Sequence, residues 1–439
     1  MYLNKSYYYK QAVLYICLLS PLLFSMVRKI LPGQSSWVEI VPLMCIFLLF
    51  IFSRNILSAR PRSIRRPLIA IILIYIIFII FSILIDYRIG IASFFTRIVP
   101  MFLVFIFYRY IINIYQINSI SKVFSWISLL LLPIAILGIL FGNSFLYEIF
   151  SPIDSVVLGG RELRHGYFSI STVFTTHWTM AWSMVGIIGL LGFSLIIFRH
   201  SLYEKVLINI GLISSLILLF LTMRRGALAV GVLCFAYVYL NNFNFKRALL
   251  LLTISSLLIV VIFLLDSSVV SNSKISMSGA ILRVEDVSLY QRFYLIFWNI
   301  YMYWMELYPF GSFLGAAGVE GRAFGYILTD IYNKAVEVGG AQMVIEIGIF
   351  PHLFVLASLL SILYTQYYYS RGTPVAKGVR VLLLMQAGMI FMWFFKSMLV
   401  LTNPHFGHLF FWASVGISMA AIRDSNHTKL LHNKKYRKI

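Results

Sequence analysis

The sequence predicts an all-α fold, a polytopic helical membrane protein with about twelve transmembrane helices in a single integral-membrane domain over residues 1–439. Two observations carry this. Hydrophobic residues make up 61% of the 439-residue chain and charged residues only 12%. Apolar runs of spanning length also recur from one end to the other, leaving no stretch long enough for a large soluble domain.

Windows of about 17 to 25 apolar residues place the spans at 9–26, 37–53, 68–85, 91–108, 122–142, 176–198, 205–222, 226–241, 248–265, 341–364, 379–402 and 405–422. The first run is followed by Val27, Arg28 and Lys29 rather than by a small-residue cleavage site, so it is expected to remain as a span. After the second, the loop from Arg54 to Pro67 carries Arg54, Arg60, Arg62, Arg65 and Arg66. The tail after the last span carries Arg423, Lys429, Lys434, Lys435, Arg437 and Lys438. The positive-inside rule makes both segments cytoplasmic, and an even number of spans puts both termini there. The segments 143–175 and 266–340 are then external, the second lying just before the final three spans.

That second segment, about 75 residues, is too long for a plain connection. Within it residues 288–308 read SLYQRFYLIFWNIYMYWMELY. A span there would reverse everything downstream and put the basic tail outside. The stretch is expected instead to be a helix in the outer interface, where Tyr and Trp prefer to sit. Pro309, Gly311, Gly315, Gly318 and Gly321 follow as a turn-rich stretch that allows close backbone approach.

The formal net charge of +21 has an ordinary component, cytoplasmic basic loops that orient the chain and touch anionic lipid headgroups; it does not indicate nucleic acid. The external cations need another explanation. They gather as Arg161 and Arg164 in the first external loop, Arg224 and Arg225 in a tight turn, and Arg283, Arg292, Arg322 and Lys334 in the second. Such a distribution suits an anion, although Arg224 and Arg225 would equally serve to cap the preceding helix or contact headgroups. Arg97 and Lys396 fall inside spans, where a charge is expensive and a functional role or an acidic partner is expected.

Several chemistries are excluded. No GxxxxGK[ST] loop is present for ATP, and no Asp-x-Asp for a nucleotide-sugar metal; Glu204 and Asp424 are the few cytoplasmic acids. His405 and His408 lack a third ligand in the sequence, and Cys17, Cys45 and Cys234 lie far apart in apolar runs. Neither a metal nor a cofactor is expected.

The order of four short motifs resembles the O-antigen polymerase and O-antigen ligase superfamily of bacterial envelope glycosyltransferases. They are RHGYF at 164–168, RRGA at 224–227, the Arg292 to Trp298 spacing followed by Pro309-Phe310-Gly311, and IEIGIF at 345–350, where the family commonly has Glu-x-Gly. The family often shows His-Asn nine residues before that Glu. Counting back from Glu346 gives Glu337 and Val338, so a carboxylate replaces the imidazole.

The resemblance implies transfer of a glycan from a polyprenyl-diphosphate carrier in the outer leaflet to an acceptor sugar hydroxyl, in the inner membrane of a bacterium. Membrane lipids and the carrier-linked oligosaccharide are the expected partners, with a chain-length regulator and a flippase of the same pathway. The residues suit that chemistry, because fixed guanidinium groups can stabilise a departing diphosphate without a metal. Arg225 and Arg292 are the expected catalytic cations, Arg164, Arg224, Arg161 and Arg283 the substrate-binding ones, and Glu337 the expected base toward the acceptor, provided that partial burial raises its pKa. Two alternatives stay open: a ligase that transfers the glycan to a lipid core, and a flippase or transporter for the lipid-linked oligosaccharide.

Overall fold

The computed structural model describes residues 5–30, 37–52, 62–111, 113–140, 161–164, 167–170, 177–222, 224–240, 310–316, 339–395, 401 and 406–436. These are almost entirely helical, and seven helices among them are long and apolar enough to cross a membrane. The expected spans at 248–265 and the interfacial helix at 288–308 lie outside the described residues. The chain is thus a multi-pass helical protein by length and composition, with two further, shorter apolar helices over Val41–Phe52 and Gly226–Leu240.

The elements run α1 (Lys5–Ile30), α2 (Trp37–Phe52), α3 (Arg62–Ile85), α4 (Tyr87–Ser93), α5 (Phe102–Tyr110), α6 (Tyr115–Leu140), a hairpin β1 (Arg161–Arg164) and β2 (Tyr167–Ile170), α7 (His177–Ile197), α8 (Leu202–Leu221), α9 (Arg225–Leu240), α10 (Gly339–Ile347), α11 (Ile349–Ser370), α12 (Ala376–Phe395) and α13 (Phe406–Tyr436). The described residues agree with an all-α class, with one addition and one correction. The 143–175 loop contains a short antiparallel ribbon with Arg161 opposite Ile170 and Arg164 opposite Tyr167. The span expected at 341–364 is not continuous, because the helix breaks at Gly348 into α10 and α11.

The helices form two compact units. In the unit made of 22–38 and 118–286, α7 is sheathed by α8 and α9, and its residues from Thr179 to Ser194 are buried. Close approach is built from small residues, as is usual between helices in lipid. A Cβ on Gly211 of α8 would stand 2.7 Å from Ser125 Cα of α6, and Ser128 and Ser215 hydrogen-bond across the same pair at 2.8 Å. Helix α8 starts with a capping box, Ser201 and Glu204 satisfying each other's backbone N–H. Glu204 also pairs with Lys122 of α6.

In the unit made of 1–21, 39–117 and 287–439, α11 packs along α3 and α12, while α13 packs along α5. Gly416 of α13 admits the α5 backbone, since a Cβ there would lie 2.7 Å from the Val104 carbonyl oxygen. Between α11, α12 and α13, Gln366 and Gln386 exchange amide hydrogen bonds and Gln386 donates to Ser414 Oγ at 2.8 Å. At one end of this unit Arg423 donates to the Tyr108 carbonyl at 2.7 Å, and Asp424 accepts from the Ile114 N–H at 3.3 Å. The other end carries the α3–α4 turn at Asp86, the α10–α11 break and residues 310–316. Asp86 caps α4, and the Arg88 guanidinium bonded to it holds its carboxyl below the usual carboxylate range.

The orientation expected from the Lys and Arg distribution is testable. Single cysteines introduced in the 54–67 loop and the tail should label only from the cytoplasm, and those in 266–340 only from outside. Labelling of 266–340 solely from the cytoplasm would reverse the assignment.

Candidate functional site at a broken helix

Between α4 and α5 the chain winds through a π turn (Phe94–Ile98) and a 3-10 turn (Val99–Met101). The physical cause is Pro100, which has no N–H to give to the Thr96 carbonyl in a regular helix. Arg97 therefore sits on a widened turn, a feature that recurs at functional sites. Its side chain is 1% exposed.

Glu346 of α10 answers it. Arg97 Nη2 donates to Glu346 Oε2 at 3.3 Å, Gln342 Nε2 donates to Glu346 Oε1 at 2.7 Å, and Arg97 Nη1 lies 3.9 Å from Met343 Sδ. All four side chains are buried. At an effective dielectric of about 20 the pair attracts by about 5 kcal/mol, whereas desolvating each ion costs several kcal/mol. The two effects are of comparable size, so the pair is not explained by stability alone, and a buried charge pair among spanning helices makes this a candidate functional site.

Two residues after Glu346 the backbone is opened. Gly348 has φ 81° and ψ 167°, a region essentially restricted to glycine. The break releases the Ile345 carbonyl from the helical ladder, and Ser312 takes it twice, donating from its N–H and from its hydroxyl, each at 2.9 Å. Ser312 belongs to residues 310–316, a described stretch in the middle of the long 266–340 segment. That stretch, Phe310–Ala316, is folded into the helices: the Leu314 carbonyl accepts from Ser82 Oγ at 2.8 Å and Ser93 Oγ at 3.4 Å, while Phe313 and Ala316 pack on Ile89. Gly311, φ 73°, leaves no space, because a Cβ would lie 2.4 Å from Gly348 N.

Two of the four sequence motifs thus meet. Phe310-Gly311 lies directly against IEIGIF, brought there by tertiary packing. Of the arginines, Arg224 is buried at 6% exposure immediately before α9, its carbonyl accepting from Leu228 N–H, and Arg225 is the first residue of α9. Arg161 and Arg164 are the terminal residues of β1. Arg283, Arg292 and Glu337 lie outside the described residues, as does Lys396.

Sequence reasoning passed over Glu346 as a partner and used it only as a register mark. The signal was present: one cation and one anion, each embedded in an apolar run, need each other. His408 Nε2 accepts from Trp412 Nε1 at 3.2 Å, and no group of three metal-ligating residues occurs among the described residues. Comparison with protein-family models and with curated proteins finds no match to the chain. The class defined by fold and site is a multi-pass helical membrane protein with a broken helix and a buried ion pair at the break.

Proposed function

We propose that the protein is a metal-independent membrane glycosyltransferase that polymerises lipid-linked oligosaccharide repeat units on the outer face of a bacterial plasma membrane. The observation that supports this most directly is the insertion of Phe310–Ala316 at the α10–α11 break, with Glu346 beside it. A long extramembrane segment built into the helices is what a reaction at the membrane surface requires, and the contact joins two motifs of the polymerase and ligase resemblance.

In the proposed reaction an acceptor hydroxyl attacks the anomeric carbon of the carrier-linked glycan. The new glycosidic C–O bond forms as the anomeric C–O bond to phosphorus breaks; the carrier leaves as its diphosphate, and the hydroxyl proton passes to a base. Arg225 and Arg292 stabilise the leaving diphosphate, with Arg164, Arg224, Arg161 and Arg283 holding substrate, and Glu337 takes the proton. No external energy source is needed, because the carrier phosphoester supplies the driving force.

Arg225→Ala and Arg292→Ala should each abolish or severely reduce polymer while leaving the protein in the membrane. Lysine at either position should rescue only in part, retaining the charge without the bidentate fork. Normal chain length in both alanine variants would count against the anion role. Glu337→Gln should slow polymerisation of a purified lipid-linked repeat by roughly 10² to 10⁴ with carrier binding retained, as for a lost general base. Equal rates would make Glu337 a bystander.

The broken helix and its intramembrane charges also suit a transporter, in which discontinuous helices line the substrate site. Chain-length analysis of a deletion strain separates the two. Loss of a polymerase leaves single repeat units outside the cell, whereas loss of a flippase leaves none. A ligase is distinguished by polymer that accumulates on the carrier instead of on a lipid core.

A further inference from the structure

We propose that Arg97, Glu346 and Ser312 form a positioning clasp: the buried ion pair sets the rotation of α10, and α10 presents the Ile345 carbonyl that holds residues 310–316 of the 266–340 segment in place. The proposal deepens the glycosyltransferase assignment and rests on it only for its effect on turnover.

Three features carry it. Both donors of Ser312 fall on one carbonyl that a continuous helix would have used internally, so docking depends on the break at Gly348. Glu346 adjoins Ile345 and is the one charged residue of α10. Turning α10 about its axis would carry the Ile345 carbonyl away from Ser312 and pull Glu346 from Arg97, and separating two buried opposite charges is far more costly than losing one neutral hydrogen bond. Finally, the contact Gly311 makes with Ile347 and Gly348 is backbone on backbone, tight enough that no side chain could replace it.

The geometric consequence is tethering at both ends. Ala316, 2% exposed, and Gly339, against which Trp393 packs so closely that a Cβ would lie 2.5 Å from its indole, are both fixed in the same unit. Between these two fixed points lie residues 317–338, with Arg322, Lys334 and Glu337, outside the described residues.

The test uses the full chain in its membrane, with Cys17, Cys45 and Cys234 replaced by alanine and Ala316→Cys as the sole reporter. A membrane-impermeant maleimide should label it slowly. Adding Gly311→Ala, Glu346→Gln or Arg97→Met should raise the rate by about tenfold or more through local opening. Arg97→Lys, which keeps a charge opposite Glu346, should recover much of the protection lost in Arg97→Met, and Ser414→Ala, in the separate polar chain of α11 to α13, should leave labelling slow. Turnover of a lipid-linked repeat should fall as labelling rises. It should return in Gly311→Ala when Ile89→Cys and Ala316→Cys, neighbours in one buried cluster, are oxidised to a disulfide.

Equally slow labelling in Gly311→Ala and Glu346→Gln overturns the clasp. Fast labelling with undiminished turnover overturns its positioning role. A parent chain that makes no polymer while labelling follows the expected pattern removes the glycosyltransferase assignment and leaves the clasp standing.

Discussion

Glu346→Ala is expected to destabilise the protein by about 3–5 kcal/mol, the usual consequence of removing one partner of a buried ion pair. The loss arises mainly on the partner: Arg97 is buried at 2% exposure and cannot reach water by a rotamer change alone. Glu346→Gln should be nearly as damaging despite its matching shape, because it retains the acceptor for Gln342 yet removes the negative charge that faces the guanidinium. The double variant Arg97→Met/Glu346→Leu should recover most of the stability, since a well-packed apolar pair is often as stable as the ion pair it replaces. Apparent melting in detergent measures all three. Polymer formation then decides what the charges are for: a double variant that is stable and inactive shows that the pair serves function, and one that is stable and fully active shows that it does not. A tolerated Glu346→Gln would mean that the 3.3 Å contact is not a charged interaction.

The second large effect is expected at Gly348. Alanine there is forced into a backbone region that costs of order 1–3 kcal/mol, and the chain can relieve the strain only by closing the break into regular helix. Closure would give the Ile345 carbonyl back to the Ile349 N–H and expel Ser312, so protection of Phe310–Ala316 from hydrogen exchange should be lost together with activity. Gly372 supplies the control. It too has positive φ, 67°, but a Cβ there meets nothing within 4 Å, so Gly372→Ala should cost about 1–2 kcal/mol of backbone strain and no more. Similar behaviour of the two variants would show that the break is incidental to the docking of residues 310–316.

Helices that stand alone in an apolar run were legible. The expected 176–198, 205–222 and 226–241 became His177–Ile197, Leu202–Leu221 and Arg225–Leu240. The break at Gly348 was not legible, because a single glycine in IEIGIF leaves hydropathy unchanged and many membrane helices carry glycine without breaking. The ribbon at 161–170 was missed for the opposite reason: two four-residue strands offer too short an alternation to stand out from a polar loop. At the site, Arg97 was already conspicuous as a charge inside a span. Its partner lay 249 residues away, and Gln342, which completes the carboxylate's hydrogen bonds, had no feature in the sequence to single it out.

What the sequence by itself determined is the class of molecule and the approximate place of its helices, because transfer of a long apolar run out of water depends on the summed contribution of neighbouring residues and hardly on what lies opposite. What only the tertiary structure decided is which of those helices bends, where, and around what. Pro100 loosens one helix and Gly348 opens another, but neither residue specifies that Arg97 will face Glu346 or that Ser312 will occupy the freed carbonyl of Ile345. Those are outcomes of packing, in which a buried charge and an open backbone group must each find a partner, and the partner that satisfies them is chosen by proximity in space.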